Sequence, residues 1–176
     1  ETGRLDDLIG QILEFSRLDA DSKEPRTMIK LDELVQSVVQ DVRYEYGRSG
    51  SEADIEFEAD FRADVSGYPG AVRSGVENIL RNAVQHSAED AKVQVKLRRE
   101  ASCAVIEIAD QGGGVPDCEL EKIFEPFFST KGEFGTGLGL SISYGIVKEC
   151  GGSIEVADNP GGGACFHLRF PLAKES

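Results

Sequence analysis

The chain has 176 residues, enough for one ordinary domain with a short appendage, and its 40% hydrophobic and 29% charged residues suit a single packed core under a hydrated surface. A formal net charge of −13 repels a phosphate backbone, which sets nucleic acid aside as a partner and means that a bound polyphosphate needs a metal ion, backbone N–H groups or a few placed cations. The four cysteines, Cys103, Cys118, Cys150 and Cys165, are widely spaced with no CxxC pair, so they read as reduced thiols of a cytoplasmic domain rather than as a disulfide framework or a zinc site.

No apolar run is long enough to span a membrane, and no direct membrane contact is expected. Leu5, Leu8, Ile9, Ile12 and Phe15 repeat at helical spacing and form a stripe that needs a partner, before a polar stretch at 19–25. The stripe reads as core packing or as half of an interrupted helical bundle, and the mid-helix character at Glu1 suggests a segment cut from a longer protein. Residues 28–31 read as a short strand. Asp32 then reads as the N-cap of a helix carrying Leu34, Val35, Val38, Val39 and Val42.

After a loop at 47–51, Ile55 and Phe57 alternate with acidic residues as a half-exposed strand, and 65–68 is expected to pair with it. A second helix is expected from Pro69, a favourable first-turn proline, to about Ser87. Val93, Val95 and Leu97 alternate with polar residues, and 103–108 is richer in apolar ones, so the two runs read as a hairpin. A glycine cluster at 112–114, a short helix over 118–124, a glycine-rich loop and a helix over 138–150 follow. Strands at 153–157 and 164–170 flank the turn Asn159-Pro160-Gly161-Gly162-Gly163. Interleaved elements with hairpin connections predict an α+β, two-layer sandwich, with helices on one face of a mixed, mainly antiparallel sheet.

Three clusters carry candidate chemistry, and each has a plain structural explanation when taken alone. On the second helix, Asn78, Asn82, Gln85 and His86 lie along one side, and a carboxamide oxygen suits Mg²⁺. Asp110 closes an apolar strand and precedes Gly112, Gly114 and Val115. A carboxylate there can accept from an exocyclic amine while the glycines let backbone approach a flat ring. Gly135, Thr136, Gly137, Leu138, Gly139 and Leu140 lead into a helix whose start would expose N–H groups to an anion. Their spacing fits neither a P-loop nor a dinucleotide fingerprint. Between the second and third clusters, Phe124, Phe127, Phe128, Thr130 and Lys131 read as a lid over a ligand or as anchors of the loop to the core.

In this order the clusters resemble the N, G1, F and G2 boxes of sensor histidine kinases, within the superfamily that includes gyrase, Hsp90 and MutL ATPases. The resemblance covers residues 28–172 and implies the Bergerat ATP-binding fold for 25–176. Residues 1–24 are similar to the end of the dimerisation and phosphoacceptor helix with its linker. The resemblance implies ATP and Mg²⁺ as ligands: Asn82 on the metal, Asn78 near the phosphates, Asp110 with Gly112 and Gly114 around adenine, the phenylalanines in the lid and its hinge, and Gly135, Gly137 and Gly139 at the phosphates. It also implies that the hydrolases carry a glutamate where Asn78 stands, so phosphoryl transfer to a histidine is expected rather than hydrolysis.

Gln85 stands where the family often has lysine, with His86 and Lys131 as candidate replacements, and Ala164 and Cys165 stand where threonine or serine is common. Neither His86 nor His167 sits in a phosphoacceptor-like stretch, so the chain alone is not expected to autophosphorylate. The implied partners are a helical phosphoacceptor domain and a response-regulator receiver domain. The parent would be a dimeric inner-membrane sensor and the fragment a monomer. The other readings are a kinase-inactive nucleotide-binding regulatory module and a gyrase-like or MutL-like ATPase.

Overall fold

The computed structural model describes residues 25–48, 54–87, 91–129 and 136–173. Residues 1–24, with the apolar stripe, lie outside them, as do Thr130, Lys131 and Gly135. In chain order the elements are β1 (Thr27–Lys30), α1 (Leu31–Arg48), β2 (Asp54–Ala59), β3 (Asp64–Gly67), α2 (Pro69–His86), β4 (Lys92–Glu100), β5 (Cys103–Ala109), α3 (Gly139–Glu149), β6 (Ser153–Asp158) and β7 (Ala164–Pro171).

Five strands form a sheet in the order β2-β4-β5-β7-β6, parallel between β2 and β4 and antiparallel elsewhere. The alternation read in β4 puts Val93, Val95 and Leu97 in the core. With them lie Ala104, Ile106 and Ile108 of β5 and Phe166, Leu168 and Phe170 of β7. Val35, Val38, Val39 and Val42 of α1 join the same core, as do Val72, Val76, Ile79 and Leu80 of α2 and Ile142, Ile146 and Val147 of α3. The opposite face is polar and cross-linked: Arg98 meets Glu107 at 2.7 Å, and Arg169 meets Glu155 at 2.7 Å and Glu100 at 3.1 Å. Helices on one face and a charged ladder on the other make the two-layer α+β sandwich expected from the sequence.

Three expectations change. Residues 65–68 do not pair with Ile55 and Phe57; β3 pairs antiparallel with β1, Met28 opposite Ser66 and Ile29 opposite Val65. The chain is steered there at Ala63, whose carbonyl accepts from Leu31 N–H at 2.7 Å and whose N–H reaches Asp32 Oδ1 at 3.3 Å. Asp32 therefore lies inside the first turn of α1, which begins at Leu31, and its carboxylate tethers a neighbouring loop. Residues 117–124 form consecutive turns instead of a helix. Their bonds run mostly i→i−3, from Glu119 to Pro116, Lys122 to Glu119 and Glu125 to Lys122, with a single i→i−4 bond from Ile123 to Glu119, so no continuous i→i−4 ladder develops. The second helix matches its expectation closely, with Pro69 at its first turn.

Candidate functional site

Helix α2 is the spine on which the three clusters meet. At its C-terminal end it touches the Asp110 turn: a Cβ on Gly112 would lie 3.0 Å from the His86 carbonyl carbon and closer still to its oxygen. Only a glycine lets that backbone pass. Two turns back, about 12 Å along the helix axis, Gly139 at the start of α3 packs on Asn78, its virtual Cβ 3.7 Å from Asn78 Cβ. Gly75 lets α3 close on α2, and Ser143 Oγ lies 2.8 Å from Gly75 O and 3.0 Å from Gly139 O, sharing one proton between the two helices.

Asp110 is buried, and it is held on several sides. Its N–H donates to Ala164 O at 2.9 Å, and its carbonyl accepts from Asn159 Nδ2 at 2.8 Å. Its Oδ1 accepts from Gly112 N–H at 2.9 Å and from Ala164 N–H at 3.1 Å. Two backbone donors converging on one oxygen fix the plane of the carboxylate. Gly114 adopts φ +74°, and Val115 packs on the core nearby.

The start of α3 is less completely furnished. Its N-cap is Leu138, which supplies no side-chain cap bond, so the first turn is not closed by a side-chain acceptor. Among the described residues, Asn78 Nδ2 is buried with no hydrogen-bond partner. An orphaned buried donor costs about 1–3 kcal/mol, so it favours an acceptor beyond those residues. Asn82 is one turn along the same side and half-buried, while Gln85 and His86 are exposed.

The aromatic stretch divides. Phe124 and Phe128 pack against the core, and the Phe124 ring lies 5.4 Å from that of Tyr144 on α3. Phe127 is 72% exposed with φ +66°, and its N–H donates to Gly137 O at 2.9 Å. Gly137 has φ +68°, and its virtual Cβ would sit 2.7 Å from Phe127 Cα, so the two ends of the intervening loop are clasped backbone to backbone. Thr136 Oγ1 accepts from Leu138 N–H at 3.3 Å, Leu138 is buried, and Leu140 packs on the core.

Glu77, the carboxylate beside Asn78, is engaged elsewhere. Its Oε1 accepts from Arg81 Nε at 2.9 Å and from Arg81 Nη2 at 2.7 Å, while Arg81 also binds both carboxylate oxygens of Glu45 on α1. The bond to Glu45, with that to Glu77, holds the Arg81 guanidinium well above its usual range, and Arg81 in turn lowers Glu45. Cys165, next to Ala164, has its thiol pushed up to about 11 by burial and by the Glu107 and Asp110 carboxylates.

Sequence reasoning passed over Asn159, Gly163 and Ala164, which grip Asp110 from another hairpin. Their signal was present in the three consecutive glycines, more than the turn itself needs.

Residues 67–174 match the family described as Histidine kinase-, DNA gyrase B-, and HSP90-like ATPase, and the chain belongs to that family. Within it the likeness is to sensor histidine kinases. The sensor-like histidine kinase SenX3 of Mycolicibacterium smegmatis is 29% identical over 177 residues, covering 97% of this chain and 46% of SenX3. The structure of the mycobacterial sensor histidine kinase MprB superposes with a TM-score of 0.74 at 29% identity, covering 86% of this chain and all of that one. Full-length ShkA in complex with AMPPNP has a TM-score of 0.81 at 25% identity, covering 98% of this chain and 37% of ShkA. The chain spans less than half the length of the curated relatives it matches. Among the described residues, no helix is long and apolar enough to cross a membrane.

Proposed function

We propose that residues 25–176 form the Mg-ATP-binding catalytic domain of a sensor histidine kinase, with residues 1–24 the end of its phosphoacceptor helix and linker. The domain positions the γ-phosphoryl for transfer to a histidine on a helical phosphoacceptor domain and thence to a response-regulator aspartate. The observation that carries this reading is the orphaned Nδ2 of Asn78, buried beside the uncapped start of α3. Among the described residues it is a donor without an acceptor, at the place where a polyphosphate would supply one. Asp110, one carboxylate oxygen already fixed by two N–H groups, presents the other to the adenine amine. Gly112, Gly114 and Val115 line the base. Gln85, His86, Thr136, Gly137, Leu138, Gly139 and Leu140 line the ribose and phosphates, with Phe124, Phe127 and Phe128 at the hinge of a lid; Thr130, Lys131 and Gly135, outside the described residues, are assigned to nucleotide binding by family likeness alone. The AMPPNP bound to ShkA supports a nucleotide in this fold.

Among the described residues no group of three or more His, Cys, Asp or Glu side chains is disposed to hold a metal. The Asn82 carboxamide oxygen is a hard donor suited to Mg²⁺, which leans on phosphates and water for its other ligands. The ion, when bound, supplies charge neutralisation at the phosphates. The protein's own residues position the nucleotide and exclude water, and neither Asn78 nor its neighbour Glu77 serves as a base. Asn78 cannot take a proton, and Glu77 is committed to Arg81. The full protein is expected to work as a dimeric inner-membrane sensor with this domain in the cytoplasm.

Incubating the chain with ATP, alone and with a helical phosphoacceptor domain supplied in trans, tests the reading. Transfer to histidine with negligible hydrolysis supports it. Brisk hydrolysis by the chain alone would favour a gyrase-like ATPase. Nucleotide binding without transfer would favour a regulatory module, which Gln85 in place of lysine would suit.

A further inference from the structure

The turn Asn159-Pro160-Gly161-Gly162-Gly163 joins β6 to β7, and a connection between two strands needs nothing from Asp110. Yet it is built around that residue. Asn159 closes the turn on itself, donating its N–H to Gly163 O at 2.9 Å and accepting from Gly162 N–H at 2.8 Å. Its side chain then turns outward from the hairpin, and Nδ2 donates to Asp110 O at 2.8 Å, a bond spanning 49 residues of sequence. Gly163, at φ +88°, has Asp110 where a side chain would be. A Cβ there would lie 2.6 Å from Gly112 N, and closer still to Asp110 O and Oδ1. The next residue, Ala164, receives Asp110 N–H and returns its own N–H to Asp110 Oδ1.

We propose that Asn159 and Gly163 are positioning residues that set the orientation of the Asp110 carboxylate and so determine the selectivity of the site for a 6-amino purine. The inference rests on the assignment of Asp110 to the adenine amine. Asn159 fixes the peptide that follows Asp110. Gly163 provides the space in which the carboxylate lies flat against the hairpin. Together they hold one oxygen on the backbone and aim the other at the base. A carboxylate free to rotate would accept a bond from the amine in only part of its range, and it would repel a 6-oxo purine less consistently. A purely structural turn would support the fold without affecting which base is bound.

The experiment compares ADP with inosine diphosphate, whose 6-oxo group replaces the amine, by calorimetry on the whole chain. Asn159→Asp is the sharp variant. It keeps the side-chain volume and the Oδ1 that lies 3.5 Å from Gly161 N–H, and replaces the donor facing Asp110 O with a negatively charged acceptor. Asn159→Ala is its companion, and Asp110→Asn is the control. The expected result is that both Asn159 variants keep cooperative melting near wild type, while the preference for ADP over inosine diphosphate narrows about tenfold. Asn159→Asp narrows it most. Mere loosening of the fold would weaken both nucleotides together and leave their ratio alone, which overturns the proposal. An unchanged ratio in the Asn159 variants with a collapsed ratio in Asp110→Asn also overturns it, while the site assignment stands. An unchanged ratio in Asp110→Asn removes the assignment itself and the proposal with it.

Discussion

Two positions along α2, its C-terminal end beside Asp110 and its middle at Asn78, stand in different states of completion. At the Asp110 end, the backbone N–H, the backbone carbonyl and one carboxylate oxygen are all engaged before any ligand arrives, by partners drawn from β7 and its hairpin. Beside Asn78, a buried amide donor has no partner among the described residues, and the facing helix begins without a side-chain cap. A base is flat and uniform, so a rigid template reads it with little reorganisation. A triphosphate brings its own acceptors and charge, so donors held in reserve serve it better than satisfied ones. On the proposed function, the contrast would put base recognition beside Asp110 and anion capture beside Asn78.

The most damaging way to break the contrast is at Gly163. Gly163→Ala drives a methyl group into Asp110 and Gly112 at a positive φ, and a loss of about 3 kcal/mol in unfolding free energy is expected by thermal or urea melting. Asp110→Asn comes next. The amide presents a donor where the adenine amine also donates, and ADP affinity should fall about thirtyfold, or about 2 kcal/mol, in a calorimetric titration.

The Asn78 position responds with the opposite pairing of stability and binding. Asn78→Leu removes an unsatisfied buried donor, so the nucleotide-free chain should gain about 1 kcal/mol of stability while Mg-ADP affinity drops about tenfold. A variant that melts lower and binds normally would mark Asn78 as an ordinary structural residue.

The smallest effect is a rate. With its pKa near 11, the Cys165 thiol is about one part in a thousand thiolate at pH 8. Its alkylation should therefore lag far behind that of the exposed Cys118 and accelerate as pH rises towards 11. Because Cys165 adjoins Ala164, early modification there would show that the Asp110 end opens readily.

Much of this contrast was legible in the sequence. Pro69 and the apolar period of 72–80 set α2, strict alternation set β4, and the order of the three clusters implied the site. Local patterns carry that kind of information, because a helix or a half-buried strand displays its own periodicity. Pairing between distant segments does not show itself locally. The four residues of β3 are equally compatible with β2 and β1, and the bonds at Ala63 decide between them. The turns at 117–124 had the composition of a helix, but their bonds run mostly i→i−3 with a single i→i−4 bond, a pattern that composition does not reveal. The grip of Asn159 and Gly163 on Asp110 was hidden for the same reason as the β3 pairing, since the partners are about fifty residues apart. The unpartnered Nδ2 of Asn78 depends on where acceptors distant in sequence lie, and among the described residues none reaches it.

The central claim is that one groove along α2 reads a base at Asp110 and captures a magnesium-bound polyphosphate beside Asn78 and Asn82. The direct test is a calorimetric titration with ADP and a non-hydrolysable ATP analogue, with and without Mg²⁺, in wild type and Asn82→Ala. The account predicts that wild type binds both nucleotides more tightly with Mg²⁺, and that Asn82→Ala retains nucleotide binding but loses the Mg²⁺ dependence. Failure of wild type to bind either nucleotide at near-millimolar concentration, or an undiminished Mg²⁺ effect in Asn82→Ala, would contradict it.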